Sequence, residues 1–186
     1  SACGDCRWCR EGLENLCPAF HATGRDMPGG YAEFMTIPEG FAHVIPEAIG
    51  DLEATPLLCA GAVGYRALSL CRLSNGQRLG LTGFGASGHL VLQMAQHLLP
   101  DSPVFVFARS AKERTFALEL GATWAGDTRD RPGELLDAII DTTPAWLPVI
   151  AAMGALAPGG RLVINAIRKE NRDRDLMASI RYEDHL

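Results

Sequence analysis

Four cysteines crowd the start of the chain: Cys3, Cys6, Cys9 and Cys17, in the spacing C-x2-C-x2-C-x7-C. Two-residue gaps let neighbouring thiolates converge on one ion. The longer gap brings the chain back to close a tetrahedral shell, with Zn–S bonds of about 2.3 Å. Four sulfurs leave no open coordination position, so the chemistry this pattern points to is structural zinc rather than catalysis. Three rivals share parts of the pattern. Disulfides suit a small secreted chain, but no secretory signal opens this one. A ferredoxin loop begins with the same C-x2-C-x2-C, yet takes its fourth cysteine after three residues and follows it with proline. Nucleic-acid-binding zinc modules set paired C-x2-C knuckles further apart.

A second constellation is Gly83, Gly85 and Gly88, a G-x-G-x-x-G between an apolar run and an amphipathic one. In such a turn the first glycine permits the tight reversal and the second lets backbone approach a pyrophosphate. The third lets helix and strand pack closely. Ala86 and Ser87 open the helix, whose unpaired N–H groups and positive dipole end favour phosphate. A methyltransferase-type nucleotide site on a similar sheet is the competing reading. An NAD site usually places an acidic residue about twenty positions past the turn. Arg109 stands there instead, with Ser110 and Lys112 close by. That set suits a 2′-phosphate and favours NADP(H) over NAD(H), the alternative being a solvated arginine capping a strand.

Such residues need a scaffold, and the texture of the chain changes three times to supply one. Residues 1–30 have no hydrophobic period and read as a loop held by something other than a core. Residues 31–35 and 42–45 are strand-like, followed by expected helices over 51–58 and 61–72. From residue 73 strand and helix alternate. Expected strands are 78–82, 104–108, 123–125, 138–141 and 161–165, and expected helices are 86–99, 112–120 and 147–156. Short β-branched strands between helices of about ten residues predict βαβ units. The fold class is therefore α/β, a Rossmann-type parallel sheet with helices on both faces. Gly121 and Pro158-Gly159-Gly160 are the expected stops of the second and third of those helices.

The 186 residues are 47% apolar and 21% charged, an ordinary globular balance. The formal charge of −5, with no run of Lys or Arg, argues against nucleic acid or an anionic membrane as partner. No apolar stretch reaches the roughly 18 residues of a spanning helix. A cytoplasmic protein acting on small molecules is the expectation. The chain opens Ser1-Ala2-Cys3 without Met, already inside a motif, so residues before Ser1 are expected.

The segment from Cys3 to Cys17 reads CGDCRWCREGLENLC, and CG-x-C-x2-C-x2-G-x-ENLC resembles the structural-zinc lobe of the zinc-dependent medium-chain alcohol dehydrogenases. Residues 29–34, GGYAEF, are similar to the family's next stretch, and residues 57–68, LLCAGAVGYRAL, to the segment carrying its third catalytic-zinc ligand. The resemblance makes Cys59 that ligand. A helix N-terminus would favour its thiolate physically, and a buried inert cysteine is the alternative, the reading kept for Cys71. It also places Thr142, within Asp141-Thr142-Thr143 at a strand end, where the family's loop passes the cofactor ribose.

What the resemblance implies is a partial GroES-like catalytic domain over 1–60, with the zinc loop in 1–20, and a partial Rossmann domain over 61–186. It implies structural and catalytic zinc, a nicotinamide cofactor, an alcohol or aldehyde substrate, and an oligomeric state left open. The family's remaining catalytic ligands precede the cysteine loop, and none of His21, His43, His89, His97 or His185 has a matching context. The chain by itself is thus expected to be inactive. The runner-up is an NADPH-dependent aldehyde reductase of the cinnamyl-alcohol type, and a non-catalytic nucleotide-binding module is the reading from another class.

Overall fold

The computed structural model describes residues 1–166 and 168–170. The chain divides into two compact units, Ser1–Ile49 and Gly50–Leu186. This division falls earlier than the expected 60/61 boundary. Residues 51–58 pack onto the helix that follows them, so they go with the second unit.

The first unit has almost no core. Among residues 1–49 the only buried side chain is that of Cys17. Its elements are a four-residue helix α1 (Arg7–Arg10) and single 3-10 turns at Glu14–Leu16 and Glu39–Phe41. Gly4 and Gly12, at φ +79° and +71°, supply the left-handed turns on either side of α1. The expected strands at 31–35 and 42–45 do not form, and Tyr31, Phe34 and Val44 stand almost fully exposed. A strand is stable only with a hydrogen-bonded neighbour and a covered face, and among the described residues these runs have neither.

The second unit is a five-stranded, wholly parallel sheet in the order β3-β2-β1-β4-β5. The strands are β1 (Leu79–Thr82), β2 (Val104–Phe107), β3 (Trp124–Gly126), β4 (Leu136–Asp141) and β5 (Leu156–Ile164). The helices are α2 (Asp51–Ala54), extended by a 3-10 turn at Thr55–Leu58, then α3 (Ala60–Cys71), α4 (Ala86–Leu98), α5 (Ala111–Glu119) and α6 (Leu147–Met153). Among the described residues no single helix is long and apolar enough to cross a membrane.

Every residue of β1 and β2 is buried, as a strand covered on both faces requires. Alternation along β2 sorts the core. Val104 and Val106 join Leu79, Leu81, Ala138 and Ile140 under α3, α4 and α5. Phe105 and Phe107 face the other way, with Leu136, Ile139 and the α6 residue Ala152. Each such apolar side chain contributes about 1.5–3 kcal/mol on burial.

The third long helix stops at Met153 rather than 156, and Leu156 already pairs with Leu136. Pro158-Gly159-Gly160 then forms an irregularity inside β5, with Gly159 at φ +78°. A side chain at Gly160 would lie 2.8 Å from the Ala157 carbonyl oxygen, so the backbone there is packed too tightly for a Cβ.

The β1-α4 junction generates the first prediction. A Cβ on Gly88 would lie 2.6 Å from the backbone oxygen of Gly83, which cannot swing aside as a flexible side chain would. Gly88→Ala is expected to cost about 1–3 kcal/mol of stability, read as a lowered denaturation midpoint at unchanged m-value. An unchanged midpoint would show that α4 is free to lift from β1.

Candidate functional site

The four expected zinc ligands converge. The Sγ atoms of Cys3, Cys6, Cys9 and Cys17 all lie within 4.8 Å of one another. Measured separations are 3.5 Å for Cys6–Cys9, 3.6 Å for Cys17–Cys3 and 3.9 Å for Cys3–Cys9. A tetrahedron with 2.3 Å metal–sulfur bonds has edges of about 3.8 Å, so the sulfurs fit a closed Zn²⁺ shell. Helix α1 carries Cys9 back toward Cys6, its N-cap, and the turn at Glu14–Leu16 returns Cys17.

The electrostatics agree with a cation at the centre. Backbone N–H groups of Asp5 and Cys6, with the Cys17 thiol, hold Cys3 down to about 6. Cys9 is pushed up to about 12, by desolvation first and by the adjacent sulfurs next. Four crowded thiols cannot all ionise without a positive partner, and a divalent ion supplies one.

The second site is a groove of about 450 Å³ over the C-terminal ends of the strands. It lies where β1 and β4 are neighbours although their connections run to opposite sides, the switch point at which open α/β sheets hold ligands. Gly83, at φ +82°, turns the chain out of β1. A Cβ there would sit 2.8 Å from Thr142 Oγ1 and 2.9 Å from Thr143 Cγ2. Gly85 is the N-cap of α4, and no side chain caps that helix. The first N–H groups of α4 are therefore open to an anion. A Cβ on Gly85 meets nothing within 4 Å, so its small size serves no packing need within the chain.

Gly83, Gly85, Ala86, Ser87, Arg109 and Thr142 all line the groove. Gly88 does not, and works instead as the close contact between α4 and β1. Ser110 and Lys112 are also absent from the lining. Ser110 is the N-cap of α5, its hydroxyl accepting from the Glu113 N–H at 3.4 Å, and Lys112 is exposed in the first turn of that helix. Cys59 stands at the N-cap of α3, exposed as a helix-terminal thiol. Among the described residues no group of three or more potential ligands gathers around it. Cys71 is fully buried, and burial pushes its thiol up to about 12, as suits an inert core cysteine. His185 lies outside the described residues.

Several groove residues, Thr143 apart, gave no signal in the sequence. Glu113 and Thr128 share the wall with Arg109, and Thr143, Pro144, Ala145 and Glu170 form the opposite rim. Arg114 donates to the carbonyl oxygens of Ala108 and Arg109, both at 2.8 Å, and lies 3.7 Å from Asp127. It thereby fixes the backbone that carries Arg109. Beneath the rim Asp141 is fully buried and accepts from the hydroxyls of Thr82 at 2.6 Å and Thr143 at 2.7 Å.

Residues 1–47 match the alcohol dehydrogenase GroES-like domain. Over 184 residues the chain is 45% identical to a protein of Mycobacterium tuberculosis (strain CDC 1551 / Oshkosh) described as a probable alcohol dehydrogenase, AdhA. A structure from Sinorhizobium meliloti 1021, provisionally described as a zinc-binding dehydrogenase and bound to NADP, superposes with a TM-score of 0.77 at 26% identity. That match covers 96% of this chain and 56% of that one. The chain is thus similar to alcohol dehydrogenases and to zinc-binding dehydrogenases. Another structure of similar fold, CAD from Helicobacter pylori complexed with NADP(H), gives a TM-score of 0.76 at 26% identity over 90% of this chain and 50% of that one. The Mycobacterium match takes in 99% of this chain but 51% of the relative, so the chain spans about half the length of that curated relative.

The cysteine cluster yields a direct test. Elemental analysis is expected to find one zinc per chain, and Cys6→Ser to lose it. With no core to hold this loop in its place, amide exchange over residues 3–17 should accelerate by about a hundredfold or more on loss of the ion. Zinc fully retained when all four cysteines are changed to serine would refute the assignment.

Proposed function

We propose that the chain supplies the structural-zinc loop and the dinucleotide-binding groove of a zinc-dependent alcohol dehydrogenase. The observation that carries the reading is the groove at the β1/β4 switch point, with an uncapped α4 N-terminus at its floor. Cys3, Cys6, Cys9 and Cys17 hold a structural zinc. A dinucleotide lies with its pyrophosphate over Gly83, Gly85, Ala86 and Ser87, its adenosine half toward Arg109, and its other half toward Thr142 and the 143–145 turn. When bound, the dinucleotide accepts or donates hydride at nicotinamide, and a catalytic zinc acts as Lewis acid on the substrate oxygen.

Cys59 is the one residue of this chain that the family resemblance assigns to catalytic zinc. The chain's own contribution is binding and orientation. The α4 N–H groups neutralise phosphate, and Ala145 and Leu147 offer the nicotinamide half an apolar wall. The substrate class is a primary or secondary alcohol with its carbonyl product. Turnover of such alcohols by the full-length protein, abolished by Cys59→Ala, is the expected result.

Arg109 favours NADP(H), because its exposed guanidinium lines the adenosine end and a 2′-phosphate takes charge-assisted bonds from arginine. A second reading has its own observation. Glu113 shares that wall, and a carboxylate there suits the free ribose hydroxyls of NAD(H).

Three substitutions test these readings. Arg109→Ala is expected to weaken NADPH by about ten- to a hundredfold, roughly 1.5–3 kcal/mol, while leaving NADH within about twofold. If NADH already binds as tightly as NADPH, and Glu113→Gln weakens only NADH, the cofactor is NAD(H). Gly85→Ala is expected to keep the wild-type melting temperature, since its Cβ meets no protein atom, yet to lose most dinucleotide affinity. Unchanged binding in that variant would remove the pyrophosphate from the Gly83–Gly85 turn.

A further inference from the structure

The groove has a second wall that the glycine turn does not organise, and it hangs on one side chain. The Lys169 side chain is 9% exposed, and its Nζ forms an ion pair with the fully buried carboxylate of Asp141. The same Nζ donates to the carbonyl oxygens of Thr143 at 2.7 Å and Ala145 at 3.0 Å. It also lies 5.7 Å over the ring of Trp146. Three donors meet three acceptors, so the ammonium is satisfied and its geometry is determined. Next to it, the Glu170 N–H donates to the Pro144 carbonyl oxygen at 2.7 Å. Residues 169–170 thus grip all of the turn that follows Thr142, and Thr143, Pro144, Ala145 and Glu170 all line the groove.

We propose that Lys169 is a positioning residue for the nicotinamide half of the bound dinucleotide. It acts by clamping the 143–145 turn to the buried end of β4. The inference rests on reading the groove as a dinucleotide site. In a doubly wound sheet the dinucleotide crosses the switch point, one half beside β2 and the other beside β4. None of the Lys169 partners belongs to the pyrophosphate turn or to the end of β2. Loosening the clamp therefore acts on one half of the ligand and leaves the other in place. An isolated defect of this kind misplaces the reacting ring, and errors of about 1 Å there cost on the order of a hundredfold in rate.

The test uses the full-length protein and compares whole dinucleotides, NADH and NADPH, with their adenosine halves, ADP and 2′,5′-ADP. Lys169→Met is expected to weaken the preferred dinucleotide by about tenfold or more while its adenosine half binds within about twofold of wild type. Because Lys169→Met leaves a buried carboxylate without its cation, the double variant Lys169→Met/Asp141→Asn is measured alongside. It removes both charges and is expected to regain melting temperature without regaining the dinucleotide-specific affinity. Equal losses for both ligands, or no loss for either in the folded double variant, overturn the positioning role of Lys169. A wild-type protein that binds neither the dinucleotides nor their halves overturns the dinucleotide reading, and the role of Lys169 with it.

Discussion

The pairing of β1 with β4 is the contact on which the second unit depends. Leu79 aligns with Ala138 and Thr82 with Asp141, joining strands separated by two complete βα units. Loop closure of that length has to be repaid by burial, and the first three registered pairs, Leu79–Leu81 against Ala138–Ile140, carry no polar side chain. The pairing ends on polar atoms rather than apolar ones. Thr142 donates across it twice, its N–H and its hydroxyl each reaching the Thr82 carbonyl oxygen at 3.0 Å. Below them the Thr82 hydroxyl reaches Asp141. The sheet is therefore stitched shut at the very edge where the groove opens.

Burying an aspartate at that seam carries a cost that is met locally. Asp141 has two hydroxyl donors and an ammonium partner, so its oxygens are occupied. Removing one member of so deeply buried a pair typically costs about 3–5 kcal/mol, whereas removing both together is often near neutral. Such an arrangement contributes geometry more than net stability. Here it sets the height of the groove's second rim relative to the glycine turn. The first rim is set differently, by absence of side chain: Gly83 and Gly88 let backbone lie against backbone.

The two units solve the problem of stability by unlike means. Residues 50–166 bury two apolar layers around a sheet. Residues 1–49 bury essentially one sulfur, and draw their order from four thiols in a common shell. Most large apolar side chains of that segment stay exposed, while its four thiols are gathered closely enough to share one metal ion.

Much of this was legible in the sequence. The cysteine spacing named its own cluster, because four soft ligands at short gaps have few other uses. The G-x-G-x-x-G turn and the strand-helix alternation specified the sheet, since period and glycine chemistry are local properties. Boundaries shifted by a few residues, most at 153–160, where a glycine pair let β5 begin before the expected turn. What the sequence could not determine was which distant residues meet. Ser110, expected beside a 2′-phosphate, also caps α5, because that helix starts one residue beyond it. The runs at 31–35 and 42–45 had strand composition but lacked neighbours, and pairing is not a property of a single segment. Glu113 reached the groove through the path of α5, and Glu170 through the chain that follows β5. Local pattern decides what each element is; only the packed sheet decides which side chains share a wall, because that depends on crossovers tens of residues long.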